Sequence, residues 1–433
     1  MRLNPIFIFL PLLIFSSGAH GDNHSSLQKT KSITILLNEN GSAYSKFSFA
    51  TQFWMRQTQL NPGSTTVSCD PISSEFDFAL RRTRFSMYNK LNEKTTFYAQ
   101  LGFNNLNTSS SKPTIYFHDV WAMYNLIPQA LSFGFGLNGW NGISRLTNVS
   151  YQQTMTLDNP GFNIPTVNHT DIETRQLGVF VKGTTGRLNY RAAISKPMVY
   201  NGVPDNPITE KAYEYPSTNM EYKAYFAWHF WEKEYFSTPY FAMTYFGEKK
   251  ICNLGGGFDI YSGSIAEFDE VGNRMLKNRT LLGADFFMEY PFRNNQAISV
   301  YSVIYSYNFG RNYLRTSGTM NRWYGETATE GAGNSEYKTG TGNIWYSTLG
   351  YLFPKDLLKN AGRLQLFCAY TLKSFEALPR EIYDYDFGAN LIVNGHNLKL
   401  SMQYSLRPLT GNTETNVHSQ HLGTFIFQTQ IVI

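Results

Sequence analysis

The sequence lacks long hydrophobic runs. Apart from residues 6–15, which Pro11 interrupts, no apolar stretch approaches the roughly 18 residues of a transmembrane helix, so a helical membrane protein is excluded. Charged residues are also scarce, at 16% against about a quarter in ordinary globular domains. Together with 16% aromatic residues, this composition suits a sheet whose outer surface contacts lipid.

Cysteine and the common enzyme motifs are equally sparse. The three cysteines, Cys69, Cys252 and Cys368, are widely spaced, and an odd number excludes a complete disulfide framework in an exported protein. The chain contains no Walker A loop and no H-E-x-x-H, G-x-S-x-G or paired C-x-x-C motif. We therefore expect no enzymatic activity, no metal site and no cofactor. A formal net charge of +5 is too small an excess to indicate nucleic acid as a partner.

The N-terminus indicates export. A short positive start, an apolar core over residues 6–15 and the small residues Ser17, Gly18 and Ala19 are typical of a secretory signal peptide. The sequence predicts a signal peptide over residues 1–21, with cleavage near Ala19 or Gly21. The polar residues that follow predict a short periplasmic segment over 22–43.

The pattern that recurs along the chain is the alternation of apolar and polar residues. Residues 425–433 place mainly apolar side chains on one face of an extended strand and two glutamines on the other. Segments of about ten residues with this period are the signature of a transmembrane β-barrel. The sequence therefore predicts an all-β fold, an antiparallel barrel over residues 44–433. We expect it in the outer membrane of a Gram-negative bacterium, surrounded by outer-membrane lipid.

Sixteen strands are predicted, with eighteen as the alternative. The number depends on residues 239–261, which form either one long strand with a bulge at the glycines of 255–257 or two strands split at 247–250. One long strand gives sixteen, an even number as is typical, and leaves every long loop at the same end, whereas the split gives seventeen. A barrel of this size encloses an aqueous channel. The longest unpatterned stretch, residues 139–171, is the expected constriction loop, in which Trp140 and Arg145 are candidate residues.

Five basic residues are the candidate lining of this channel: Arg82, Arg84, Lys182, Arg191 and Lys196. Arg82 and Arg84 share one strand face, which should be the lumen because arginine facing lipid costs up to about 4 kcal/mol near the midplane. Inward arginine and lysine side chains favour anions. In the alternative interpretation, these arginines pair with Glu75, Asp77 or Asp119 and only stiffen the wall.

Several stretches also carry a family resemblance: R-R-T-R-F at 81–85, H-D-V-W-A-M-Y at 118–124, Y-D-F-G-A-N at 385–390 and N-G-H-N-L-K-L at 394–400. They resemble the porin family that includes the phosphate-selective porins O and P. W-N-G-I-S-R-L-T at 140–147 and G-T-G-N-I-W-Y at 340–346 are similar to a branch of that family whose substrate is unknown. The resemblance implies a sixteen-stranded, often trimeric, passive channel, and it does not imply phosphate as the solute.

These observations favour a porin through which small hydrophilic solutes diffuse, with a weak preference for anions, and the family resemblance implies a homotrimer. The alternative is a structural or adhesive barrel whose pore is closed by its loops. In that case residues 57–74 and 309–341 would bind a partner outside the cell.

Overall fold

A computed structural model describes residues 33–108, 113–198, 210–409 and 421–433. Sixteen antiparallel strands form a closed barrel, so the predicted number is confirmed. The barrel strands are β1 Tyr44–Gln59, β2 Ser74–Lys90, β3 Thr95–Leu106, β4 Tyr116–Ile127, β5 Leu131–Asn138, β6 Gln176–Thr185, β7 Leu188–Lys196, β8 Glu221–His229, β9 Ile251–Phe268, β10 Arg274–Pro291, β11 Ala297–Asn308, β12 Gly342–Leu352, β13 Arg363–Phe375, β14 Ile382–Asn394, β15 Leu398–Pro408 and β16 His421–Val432. The barrel closes because β1 pairs with both β2 and β16.

The alternation in the sequence produces the two faces of the wall. In β16, Gln428 and Gln430 face the lumen and are fully buried, whereas Phe425 and Ile431 on the outer face are 43% and 40% exposed. Exposed apolar side chains recur on the outer face of the other strands. A closed barrel with an apolar outer belt satisfies its backbone without unpaired strand edges. This is the architecture of proteins that span the Gram-negative outer membrane, as expected from the sequence.

Short elements complete the described structure: strands Ile33–Leu36, Tyr213–Glu214, Leu314–Ser317 and Glu336–Gly340, and 3-10 helices Leu146–Asn148, Gly161–Asn163, Arg293–Asn295 and Lys359–Ala361. Among the described residues, no helix is long and apolar enough to cross a bilayer. The predicted signal peptide lies outside the described residues. Part of the expected periplasmic segment, Ile33–Leu36, pairs with the first residues of β1.

The two ends of the barrel differ. At the turn end, connections such as 91–94, 128–130 and 395–397 are short. At the loop end, the β5–β6 loop (139–175) and the β11–β12 loop (309–341) are long. Long loops of outer-membrane barrels face the outside of the cell, which orients the loop end outward.

One long connection lies at the turn end. Since β8 ends at His229 and β9 begins at Ile251, residues 230–250 form the β8–β9 loop there. The predictions that 239–261 is one long strand and that every long loop lies at the same end are therefore wrong. Phe241 and Met243, which fall within the predicted strand, are buried because the loop enters the lumen and packs against the β5–β6 loop.

Candidate functional site

A β-bulge determines which side chains of β2 face the lumen. β2 pairs regularly with β1 until Gln52, which is opposite Arg82, while the next pair skips Arg81. This extra residue shifts the alternation by one, so that Asp77 before the bulge and Arg82 and Arg84 after it are all directed inward. Arg81 itself also reaches the lumen, where it contacts the β5–β6 loop.

Asp158 of the β5–β6 loop pairs with two of these arginines. Its Oδ2 atom lies 2.8 Å from Arg81 Nε, and its Oδ1 atom lies 2.7 Å from Arg82 Nη2. Burial opposes ionisation of Asp158, but the two guanidinium groups outweigh it and hold the pKa of this carboxyl at about 2. The ion pairs therefore fasten the loop to β2. Arg82 pairs with a loop carboxylate instead of the wall carboxylates weighed in the alternative interpretation.

Arg84 has only neutral hydrogen-bond partners among the described residues. Its guanidinium donates to the carbonyls of Thr83 and Phe103, at 3.0 and 2.7 Å, and to the side chain of Asn104. It also lies 5.7 Å from the ring centroid of Tyr151. Its positive charge is thus held in place by dipoles and a ring, without a carboxylate to neutralise it.

Arg82 and Arg84 line a lumen cavity of about 450 Å³ between the wall and the β5–β6 loop. Its charged lining consists of four cations and one acid: Lys46, Arg82, Arg84, Arg175 and Glu173. Arg175 lies 3.4 Å from Asp119 and donates to the hydroxyl of Tyr240 at 2.8 Å. A solute in this cavity meets an excess of positive charge.

The β5–β6 loop crosses the lumen at glycines of the wall. A Cβ atom at Gly257 or Gly283 would lie 2.6 or 2.9 Å from the carbonyl oxygen of Ile143, so only glycine allows this approach. Met155 packs against Gly350 in the same way. The glycines 255–257 pair regularly with β8 and β10, so the bulge expected there is wrong, and the register shift lies at 261–265. These glycines provide a docking surface for the loop.

Polar wall side chains bind the backbone of loop residues 151–157: Gln52, Asn390, Lys399, Gln403 and Gln430. Gln52, for example, donates to the carbonyl of Tyr151 at 3.1 Å, and Lys399 to that of Thr154 at 2.9 Å. Irregular backbone at membrane depth needs such partners. The predicted constriction stretch is therefore a fixed structure inside the barrel.

The two cations of β6 and β7 hold the β8–β9 loop. Lys182 Nζ donates to the carbonyl of Phe236, and Arg191 Nη1 to that of Pro239, both at 2.6 Å. Both cations lie over the ring of Trp140, 5.2 and 5.0 Å from its centroid. They line a second cavity of about 330 Å³ at the turn end. Their role as charges lining an ion path stays a prediction.

Lys196 does not lie with these residues. Arg191 and Ser195 face the lumen and are buried, whereas Lys196 is exposed, on the same face as Ile194. Its ammonium donates to the carbonyl of Asn219 at 3.2 Å. The reason is strand alternation, because residues an odd number apart in a regular strand lie on opposite faces.

A buried charge network in β8, β9 and β10 was not anticipated. Lys223 lies 3.0 Å from Glu221 and 3.4 Å from Asp259, and Arg279 pairs with both carboxylates. Two cations and two acids balance, so the network stiffens the wall without adding net charge. The alternation of β8 places Glu221 and Lys223 on one face of that strand. Their partners Asp259 and Arg279 lie on β9 and β10, and the sequence alone does not give the register between these strands.

The β11–β12 loop covers part of the loop end. Arg56 donates to the carbonyl of Met320 at 3.2 Å. Glu75 accepts hydrogen bonds of 2.8 Å from Arg322 Nε and from Trp323 Nε1. The loop therefore reaches from β11 and β12 to the wall formed by β1 and β2.

Several solved structures share this fold. OprB of Pseudomonas putida, in its high-pH structure, is 9% identical, with 90% of this chain and 94% of that chain covered at a TM-score of 0.54. OmpF of Salmonella typhi in complex with daunomycin is 9% identical, with 93% and 100% covered at 0.53. The outer membrane channel DcaP of Acinetobacter baumannii is 10% identical, with 92% and 99% covered at 0.51.

No family model and no curated protein matches the sequence. The fold is that of the outer-membrane porins. The finer resemblance to the phosphate-selective porins stays an expectation from the sequence.

Proposed function

We propose that this protein is a non-enzymatic outer-membrane porin through which small hydrophilic solutes diffuse, with a preference for small anions. The observation that carries the proposal is the cavity of about 450 Å³, whose lining has four cations and one acid. Two of these cations, Arg82 and Arg175, also pair with Asp158 and Asp119, and Lys46 and Arg84 account for the positive excess. Arg84 carries most weight because its charge has no acidic partner among the described residues. Inward arginines and lysines raise the local concentration of anions in a pore.

The positive lining continues towards the turn end. The two cavities adjoin, since Tyr44, Tyr88 and Ser237 line both. The charged residues of the second cavity are again mainly basic: Lys90, Lys182, Arg191 and Glu93. The wall from β1 to β7 thus offers a cationic route past the inserted loops. DcaP, which shares this fold, is an outer membrane channel, and this supports the same proposal.

The solute itself is not specified by these residues. The sequence resembles the phosphate-selective porins, but small anions of several kinds suit a lining of arginine and lysine. The proposal is therefore a general preference for anions, and phosphate is one candidate among them.

A second candidate is a closed barrel that binds a partner through its outer loops. One observation favours it: the β11–β12 loop and the loop of residues 60–73 are bonded to each other. Asn61 donates to the carbonyls of Gly331 and Ser335 at 2.8 and 2.9 Å, and Thr65 pairs with Tyr324. Two long loops held together form a defined platform at the loop end.

Reconstitution in a planar bilayer tests these alternatives. We expect the refolded mature chain to give conductance steps and, in a KCl gradient, a reversal potential on the chloride side. Conductance without a preference for chloride would support the porin function and refute the preference for anions. A folded, heat-modifiable barrel without conductance would favour the closed, partner-binding candidate.

We also propose that the protein forms homotrimers, as its resemblance to porins implies. Unboiled samples should migrate as trimers on gels, and chemical cross-linking in detergent should stop at three subunits. Monomers under both conditions would contradict the proposal.

A further inference from the structure

The β8–β9 loop is much longer than its two strands require. The pairing of β8 and β9 continues past the strand ends, where Phe230 N donates to the Cys252 carbonyl at 2.8 Å and Glu232 N to the Lys250 carbonyl at 3.2 Å. A two-residue turn would join a hairpin at this point. Instead, residues 233–249 enter the lumen from the turn end.

Inside the lumen, this segment pairs with the β5–β6 loop. Phe241 N donates to the Asn148 carbonyl at 2.9 Å, and Ser150 N donates to the Phe241 carbonyl at 2.8 Å. Met243 N donates to the Gln153 carbonyl at 3.0 Å. The two loops, which come from opposite ends of the barrel, are therefore joined through their backbones into one unit.

A buried ion pair connects the same two loops. Arg145 of the β5–β6 loop pairs with Glu234 of the β8–β9 loop, and their side chains are 2% and 1% exposed. Arg145 Nη1 also donates to the Ala242 carbonyl at 2.6 Å. Tyr245 and Asn253 donate to the Glu234 carboxylate, so both charges are fully surrounded by partners. Removing one partner of such a pair leaves the other charge buried and uncompensated, which is strongly unfavourable.

The segment also occupies the space beside the cationic wall. Its carbonyls at Phe236 and Pro239 accept the hydrogen bonds of Lys182 and Arg191, so two lumen cations contact the segment. Ser237 lies where the two cavities adjoin. A solute passing from one cavity to the other must therefore pass this segment.

We propose that residues 233–249 form a second size filter at the turn end of the pore, held in the lumen by the ion pair between Arg145 and Glu234. This inference rests on the proposed channel function. The β5–β6 loop alone would constrict the pore from the loop end, and the inserted segment adds a separate constriction on the other side.

The direct test replaces residues 233–249 with Asn-Gly, which the existing pairing of Glu232 and Lys250 accommodates. Single-channel conductance and the swelling of proteoliposomes in sugars of increasing size are then compared with the wild type. We expect conductance to rise roughly twofold or more and larger sugars to enter, because the segment no longer occupies the lumen. If the replacement forms a heat-modifiable barrel with unchanged conductance and an unchanged size limit, the proposed size filter is refuted and the proposed channel function still stands.

The point variant Glu234→Gln covers the case in which the replacement fails to fold. It keeps the shape of the side chain but removes the charge that pairs with Arg145, so the segment should leave the lumen more often and the current should fluctuate between two levels. Glu270→Gln is the matched control because it removes one exposed acid from a turn at the loop end. Equal current traces for the two variants would argue against a role for the ion pair.

The two proposals fail differently. If neither the wild type nor the replacement conducts although both are folded, the channel function is wrong and the filter with it. If only the replacement conducts, the segment is a plug that closes the wild-type pore, and this result would refute both the passive channel and the size filter.

Discussion

Arg84 provides the sharpest test of the proposed preference for anions. Arg84→Gln removes one positive charge and retains a hydrogen-bonding side chain towards Thr83, Phe103 and Asn104. When Arg81, Asp119 and Asp158, which contact the lining residues, are included, the net charge at the cavity changes from 5 − 3 = +2 to +1. We expect the pore to lose part of its preference for chloride.

The size of the effect follows from the dimensions of the cavity. A sphere of about 450 Å³ has a radius of about 5 Å, and at that distance one unit charge changes the energy of a monovalent ion in water by about 0.8 kcal/mol. This corresponds to a change of about fourfold in the local concentration of anions, with an opposite change for cations. Because the two changes multiply, the ratio of chloride to potassium permeability should fall by up to about 16-fold at low salt, and by less at high salt because ions screen the charge.

The assay is the reversal potential of single channels in a KCl gradient at low ionic strength. Arg293→Gln is the matched control, since Arg293 is exposed at the turn end, outside both cavities. A reversal potential that does not change in Arg84→Gln, or that changes equally in the control, would refute the assignment of selectivity to this cavity.

Three further predictions concern the loops. The ion pairs of Asp158 lower its pKa to about 2 in the folded protein, against about 4 in the unfolded chain. They therefore contribute about 2 kcal/mol to the free energy of unfolding at pH values above 4, and this contribution is lost as the pH falls towards 2. Thermal unfolding should therefore show Asp158→Asn less stable than the wild type at pH 5 to 8, with a difference that shrinks by pH 2; a constant difference would contradict this. Glu75→Gln should speed tryptic cleavage after Arg322, because the β11–β12 loop loses its charged anchor, and an unchanged rate would show that the anchor is dispensable. Gly257→Val should lower stability by about 1 to 3 kcal/mol, because its side chain would overlap the backbone of Ile143. An unchanged unfolding midpoint would show that the loop does not dock there.

Particular residues show which features of the barrel wall strand alternation predicts and which it does not. Alternation predicts that Arg82 and Arg84 share one face of the strand, because each strand obeys a local period of two. It could not identify the bulge at Arg81, since a bulge is defined by the register with β1. It also placed residues 239–250 in a strand of the wall, because a pattern of apolar residues is compatible with burial against another loop as well as with a place in the wall.

In the candidate site too, the sequence predicts residues but not their partners. Lys182 and Arg191 were assigned to the lumen from their basic character, but their bonds to the carbonyls of Phe236 and Pro239 depend on a loop that enters from the other side of the barrel. The sequence does not indicate a role for Asp158, since its pairing with Arg81 and Arg82 arises only when the β5–β6 loop crosses the lumen.

Local periodicity and composition thus specify the class of protein, the closed sheet and the apolar outer belt, because a strand in lipid must alternate its side chains and satisfy its backbone in the wall. The interior is specified by contacts between residues far apart in the chain. Whether a cation in the lumen has an acidic partner depends on where the loops lie. Within the described part of the chain, Arg82 has such a partner and Arg84 has none. Only the tertiary structure decides this, because no local pattern encodes the path of a loop through the barrel.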